Sequence, residues 1–250
     1  MNIGKYQWAK QTSGILNTYE KISLFWQIIQ SEWRLAIEKR RFRNVTLSQI
    51  EQIKIPDSSL IRNINADINN LYSIELLKHC IRTYCWASLL AHTDNVQVDS
   101  EQLYLASLLH DLGLSDQHIH HAQCGCFAVY GAEQAVKILQ RHHAEEQLQH
   151  IVYEAISAHL NPWVDTMDFD NVAVYTNQGA FLDVTGKRLY KIHHANQNEV
   201  LQSYPRTDFQ REILATMENP HHKSTRAGLM KKAFMNMVRS NPLDATINKP

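Results

Sequence analysis

Leu103-Tyr-Leu-Ala-Ser-Leu-Leu-His-Asp-Leu-Gly113 opens on an apolar run and closes on two polar residues. Asp99 followed by Gln102 has the spacing of a capping box, in which the cap side chain takes a backbone N–H that the first helical turn leaves unpaired. The run reads as a helix apolar enough to lie in a core, with Gly113 as its terminator. His110 and Asp111 then sit at the inner end of a buried helix, where an uncompensated charge is costly. A divalent cation is the partner that satisfies an imidazole and a carboxylate at once. The dipeptide alone arises by chance in many chains, so its surroundings carry the weight.

Upstream, Ser73 is placed to cap a helix over residues 73–91, which sets His79, Arg82, Trp86 and Leu90 along one flank. Downstream, helices are expected over residues 129–142 and 146–160, the latter stopped by Asn161-Pro162. Others follow over 176–192, 199–204, 209–218 and 226–238. Residues 19–42 read as an amphipathic helix with Ile22, Phe25, Trp26, Ile29, Trp33 and Ile37 at three- and four-residue steps. With eight glycines, six prolines and few alternating runs, strands are not expected. The predicted fold is all-α. Residues 1–54 form a helical N-terminal extension, with a polar linker over 44–59; residues 55–240 form one helical domain, and 241–250 a loose tail.

Lys plus Arg and Asp plus Glu both number 25, so no net field recruits nucleic acid or an anionic membrane surface. The local run Lys39, Arg40, Arg41 and Arg43 reads as a solvated helix end favoured by the helix dipole. Cys80, Cys85, Cys124 and Cys126 do not make a disulfide framework, and no export signal is read at the N-terminus, so a reducing cytoplasm is the expected location. Apolar stretches fall well short of the ~20 residues of a membrane span. The 14 histidines favour metal chemistry without locating it. The Trp26 and Trp33 stripe suits a helix-to-helix contact between two copies of the chain.

The order of His79, His110-Asp111 and Asp183, the last in Gly179-Ala-Phe-Leu-Asp-Val-Thr-Gly186, resembles the HD superfamily. The resemblance is nearest to its cyanamide hydratase-like branch. Segments that carry it include Lys78-His-Cys-Ile-Arg-Thr-Tyr84, Leu108-Leu-His-Asp-Leu-Gly-Leu114, Phe127-Ala-Val-Tyr-Gly-Ala132, Glu154-Ala-Ile-Ser-Ala-His159 and Tyr204-Pro-Arg206. It spans about residues 55–230 and implies an HD-domain helical bundle with metal ligation by His79, His110, Asp111 and Asp183. Such a nitrogen and oxygen set suits zinc first, then iron, manganese or cobalt. A cation of this kind activates water and polarises a small-molecule substrate. In this branch the reaction would be hydration of a nitrile-like carbon, cyanamide to urea.

The alternatives are a phosphohydrolase of nucleotides or related esters, a dinuclear iron oxygenase, and a non-catalytic ligand-binding module. Helical HD nucleotidases place a carboxylate shortly after the His-Asp pair; here Leu114 stands three residues on, and Asp116 two further. His159 lies on the face of Leu148, Val152 and Ala155, directed inward to orient water or shuttle a proton, or else held as a core histidine. Arg82, one turn beyond His79, is expected to hold a carboxylate or substrate. His118, His120 and His121, with Cys124 and Cys126, form a loop that reads as a lid, as a separate zinc site, or as the source of a second-metal ligand beside His159. The pairs His142-His143, His193-His194 and His221-His222 read as solvent-exposed. Tyr84, Phe127, Trp163, Phe181 and Tyr204 read as packing.

Overall fold

A computed structural model describes residues 2–42 and 53–245. In chain order its helices are α1 (Tyr6–Thr12), α2 (Thr18–Arg41), α3 (Ser59–Ile68), α4 (Ile74–Thr93), α5 (Ser100–Leu109), α6 (Phe127–Arg141), α7 (Glu146–Ala158), α8 (Asn171–Thr185), α9 (His194–Ser203), α10 (Phe209–Glu218), α11 (Arg226–Arg239) and α12 (Pro242–Ala245). Short 3-10 turns lie at Leu112–Leu114, Ile119–Gln123 and Leu189–Lys191. Among the described residues no strand is present, as the periodicity predicts. No described helix is long and apolar enough to cross a membrane.

α5 has no polar face over its last two turns. Every residue from Leu103 to Leu109 is buried, and a helix apolar all round must be surrounded; α4, α7 and α8 pack about it. Asp99 accepts the Gln102 N–H at 2.9 Å and starts the helix where the spacing predicts. Ser73 likewise caps α4 through the Leu76 N–H. Among the described elements α4 and α8 share the most extensive contact. It depends on Gly179, because a Cβ there would stand 2.4 Å from the Thr83 carbonyl oxygen. Gly179→Ala is expected to cost about 1–3 kcal/mol or more by forcing these helices apart. A lower urea midpoint at unchanged m-value would register it.

Several boundaries differ from the sequence reading. The helix expected over 176–192 begins earlier, where Asp170 accepts the Val172 N–H, and stops at Gly186, whose φ of 73° is left-handed. α1, α3 and α12 are short elements the sequence reading does not single out; of these α3 is started by Ser58, which accepts the Ile61 N–H, and buries Ile61, Ile64 and Ile68 on one face. Gly113 is not in a left-handed conformation and is needed for a different reason. A Cβ on Gly113 would meet the Phe127 carbonyl oxygen at 2.1 Å, and one on Gly131 would meet the Gly113 nitrogen at 2.8 Å. These two glycines let the turn after the His-Asp pair lie directly on α6.

The tail expected to be loose from residue 241 is held as far as it is described. Asn241 Nδ2 donates to the Asp183 carbonyl at 2.8 Å, Arg206 Nε to Asp244 Oδ1 at 2.8 Å, and Leu243 is buried. The linker expected over 44–59 lies outside the described residues as far as Gln52, and Ser58 already caps α3. Arg43 of the basic run lies outside them too, while Lys39, Arg40 and Arg41 end α2. The N-terminal extension is docked on the body. Trp8 is fully buried beneath the Arg226 guanidinium, and its Nε1 donates to Glu20. α2 turns Leu24 and Ser31 inward and leaves Tyr19, Ile22, Phe25, Trp26, Ile29 and Trp33 exposed.

Candidate metal centre

Three atoms from two helical segments meet at the base of a cavity. His79, in the second turn of α4, and His110, directly after α5, bring their Nε2 atoms to 3.1 Å of each other. Asp111 Oδ2 stands 3.3 Å from each. All three residues are buried. Three nitrogen and oxygen donors this close together are a set that could hold a zinc-like cation.

The outer hydrogen bonds say which ring nitrogens are bare. His110 Nδ1 lies 2.7 Å from the Ser107 carbonyl, an acceptor only, so Nδ1 carries the proton. His79 Nδ1 faces Asp183 Oδ2 at 2.7 Å, and the same logic applies. Two Nε2 lone pairs and a carboxylate oxygen therefore converge in a buried space, an arrangement that repels itself unless a positive charge sits among them. Burial opposes charge at Asp111 and at His110. The His110 imidazole nevertheless holds the Asp111 carboxyl well below the usual range, and Asp111 with Cys80 raises His110; the position therefore favours a positive charge, a proton on His110 Nε2 or a metal ion that displaces it and leaves both Nε2 lone pairs free. Among the described residues, His79, His110 and Asp111 form the one group of three or more donors close enough to share an ion.

His159 joins this group from the end of α7. Its Nε2 is 3.5 Å from Asp111 Oδ1, the oxygen turned away from the other two histidines, and its Nδ1 donates to the Ile156 carbonyl at 2.7 Å. Burial, then the neighbouring His110, push its pKa down to about 3, so it stands neutral with a bare Nε2. Asn177 Nδ2 donates to the His159 and Asn161 carbonyls, fixing the end of α7.

Asp183 is placed differently from the fourth ligand the sequence reading expects. Oδ1 accepts from Arg82 Nε and Trp86 Nε1, both at 2.8 Å. Oδ2 takes Arg82 Nη2 at 2.9 Å, His79 Nδ1 at 2.7 Å and Arg206 Nη1 at 3.0 Å. With both oxygens occupied, the carboxylate stands behind His79 and orients it, as outer-shell carboxylates do for metal-binding histidines. Burial alone would raise its pKa; Arg82 and Arg206 outweigh it and hold the group well below the usual carboxylate range. Phe209 completes the brace, stacking on His79 at 4.8 Å beneath both guanidinium groups.

Of the other sequence candidates, Arg82 is spent on Asp183 and the Tyr204 and Pro205 carbonyls and does not line the cavity. Asp116 is exposed and opens on a separate surface groove with Ser73 and Glu212. The 3-10 turns after the His-Asp pair carry it away. His118, His120 and His121 do not supply a second-metal ligand beside His159 in this arrangement: His121 stacks on Tyr130, His120 against His121, and none lines the cavity. Nor do they form a group with Cys124 and Cys126; Cys126 is buried and accepts from Arg226. His221 departs from its expected exposure, half-buried with its ring 5.9 Å from Phe127.

The cavity above the ligands measures about 40 Å³, room for about three waters at roughly 10–15 Å³ each. Its polar lining is His79, His110, Asp111 and His159; the remaining wall is apolar, from Leu114 beside the ligands to Phe181, Met230 and Phe234 further out. Phe127 and Phe181, read as packing, thus form wall. Sequence reasoning missed the walls because apolar residues at helical spacing look the same whether they face a core or a cavity. It also left Arg206 and Trp86 without a role, although Arg206 lies in one of the segments that carry the resemblance.

The family model for the HD domain matches residues 76–233. No curated protein matches the sequence.

Proposed function

Because the chain belongs to the HD domain family, we propose that it is a metal-dependent hydratase that adds water to a small neutral nitrile-like carbon, in the manner of cyanamide to urea. The observation that carries the metal is the convergence of two bare Nε2 atoms and a carboxylate oxygen at 3.1–3.3 Å. Zinc is the cation proposed, with iron or manganese as substitutes; when bound, it lowers the pKa of water and polarises the electrophile. His159, neutral and buried, offers its bare Nε2 as a hydrogen-bond acceptor that orients the attacking water. Leu114 and Phe127 exclude bulk water from that position.

HD domains are generally phosphohydrolases, so the competing reading is a phosphate ester. The lining argues for the neutral substrate. Among the described residues no Lys, Arg, Ser or Thr side chain faces the cavity, and a phosphate would enter with its charge met by the cation alone. The proposed location is the cytoplasm, consistent with four free cysteines.

Elemental analysis of purified protein, followed by urea formation from cyanamide with metal-loaded enzyme, tests the reading. Phosphate release from nucleotides without urea would overturn the hydratase assignment. His159→Gln is expected to retain the metal and lose about a hundredfold or more in kcat. Equal loss of metal and activity in that variant would make His159 a ligand instead.

A further inference from the structure

The wall beyond the ligands bears on what the substrate carries besides its reacting carbon. Val184, Ile213 and Met217 are buried around the cavity, while Phe181, Met230 and Phe234 are half-buried at its rim, where α8 and α11 border it. Along this wall no side chain donates or accepts a hydrogen bond. A polar or charged substituent would lose its water without a replacement, whereas an apolar one gains by contact. The enclosed space holds little more than the reacting group, so a substituent extends outward past the half-buried Phe181, Met230 and Phe234, where the unbranched Met230 re-packs around different shapes.

We propose that the substrate is a neutral cyanamide or nitrile bearing an apolar substituent, which lies against Phe181, Met230 and Phe234 while its carbon meets the His79, His110 and Asp111 group. This rests on the hydratase reading. The reaction balances with water alone: the oxygen bonds to the carbon, both protons pass to nitrogen, and a substituted urea or amide leaves with nothing oxidised or reduced. The test compares kcat/KM of metal-loaded protein for cyanamide and its N-methyl, N-propyl and N-benzyl derivatives, with melting temperature measured for each compound. The expected result is a rise of about fourfold per buried methylene, with a smaller benzyl-to-cyanamide ratio in Phe234→Asp. A flat or falling series overturns the inference and leaves the hydratase reading standing. No turnover by any member, with melting temperature still rising along the series, overturns the hydratase reading and keeps the apolar ligand. No turnover and no shift overturn both.

A separate observation concerns α2. Tyr19, Ile22, Trp26, Ile29 and Trp33 recur at alternating steps of three and four, the seam of a two-helix coiled coil, and are 43–79% exposed. Scaled by that exposure from ~150–250 Å² per fully buried aromatic side chain, these residues and Phe25 offer on the order of 500–700 Å² of apolar area, approaching the roughly 800 Å² per partner of a standard interface. A second copy of this chain supplies the matching seam, because a two-fold axis lying between two α2 helices pairs the same surface of both copies. An antiparallel pairing keeps the two Lys39-Arg40-Arg41 ends apart, where a parallel one would press them together. We infer that α2 dimerises the protein in antiparallel fashion. Light scattering of the full chain at tens of micromolar should give twice the monomer mass, and Trp26→Glu with Trp33→Glu should return it to the monomer. A monomeric wild type, or a dimer that survives both substitutions, overturns the inference.

Discussion

Asp111→Ala protein is expected to purify without a bound transition metal and to lose turnover by about a thousandfold or more, the scale set by removing a group that stabilises charge in the transition state. Asp111 is the one anion in the triangle, and its two oxygens face different neighbours. Oδ2 closes the set with His79 and His110, and Oδ1 faces His159. Without it, two neutral imidazoles remain at 3.1 Å with no charge to draw a cation into a buried space. Elemental analysis reads the metal, and thermal unfolding separates loss of metal from loss of fold. Bound metal at wild-type stoichiometry in a folded Asp111→Ala protein would sink the proposed centre.

Arg82→Ala is expected to cost about 3–5 kcal/mol, the range for breaking a buried ion pair by removing one partner. In a protein of this size that amounts to a fall of roughly 10 °C or more in Tm. Arg82 gives Asp183 two hydrogen bonds in a fully buried setting; Arg206 and Trp86 remain but satisfy fewer lone pairs. The folded-state pKa of Asp183 lies below its unfolded value, with burial opposing the shift and Arg82 the first of the groups that outweigh it. Its stabilising effect is therefore fully present above the ordinary carboxylate range and is lost as pH falls through the lowered folded value. Removing Arg82 raises that folded value, so acid unfolding should begin at a higher pH in Arg82→Ala than in wild type. An unchanged acid midpoint would mean that Arg206 alone holds the carboxylate. Metal affinity should also fall by about 10–100-fold, because Asp183, held by fewer donors, orients His79 less firmly.

Much of the architecture was legible because helix periodicity is local. The α5 cap at Asp99, the α4 cap at Ser73, α10 and the start of α7 all fall where spacing predicts. The family was legible for a similar reason, since His79 and the His110-Asp111 pair keep their places in order along the chain. Misreadings arose where a residue's role is set by what lies across from it. Gly113 looks like a terminator from its neighbours in sequence, yet its absent side chain serves contact with α6. Residues 241–245 look like a loose end until Asn241 and Arg206 bind across the fold.

The sequence by itself determined an all-α protein whose most apolar helix delivers a histidine and an aspartate into the core. Helix propensity, capping and burial act over a few residues and are written in their order. Only the tertiary structure decided that Asp183 turns both oxygens to Arg82, Arg206, Trp86 and His79 instead of toward the cavity. It likewise set His159 Nε2 3.5 Å from Asp111 Oδ1 at the cavity wall, while the histidines of residues 118–121 stay off the lining. A carboxylate or imidazole has the same formula in either position. Which partner reaches its lone pairs first depends on residues up to 104 positions apart, and that is a matter of packing geometry in three dimensions.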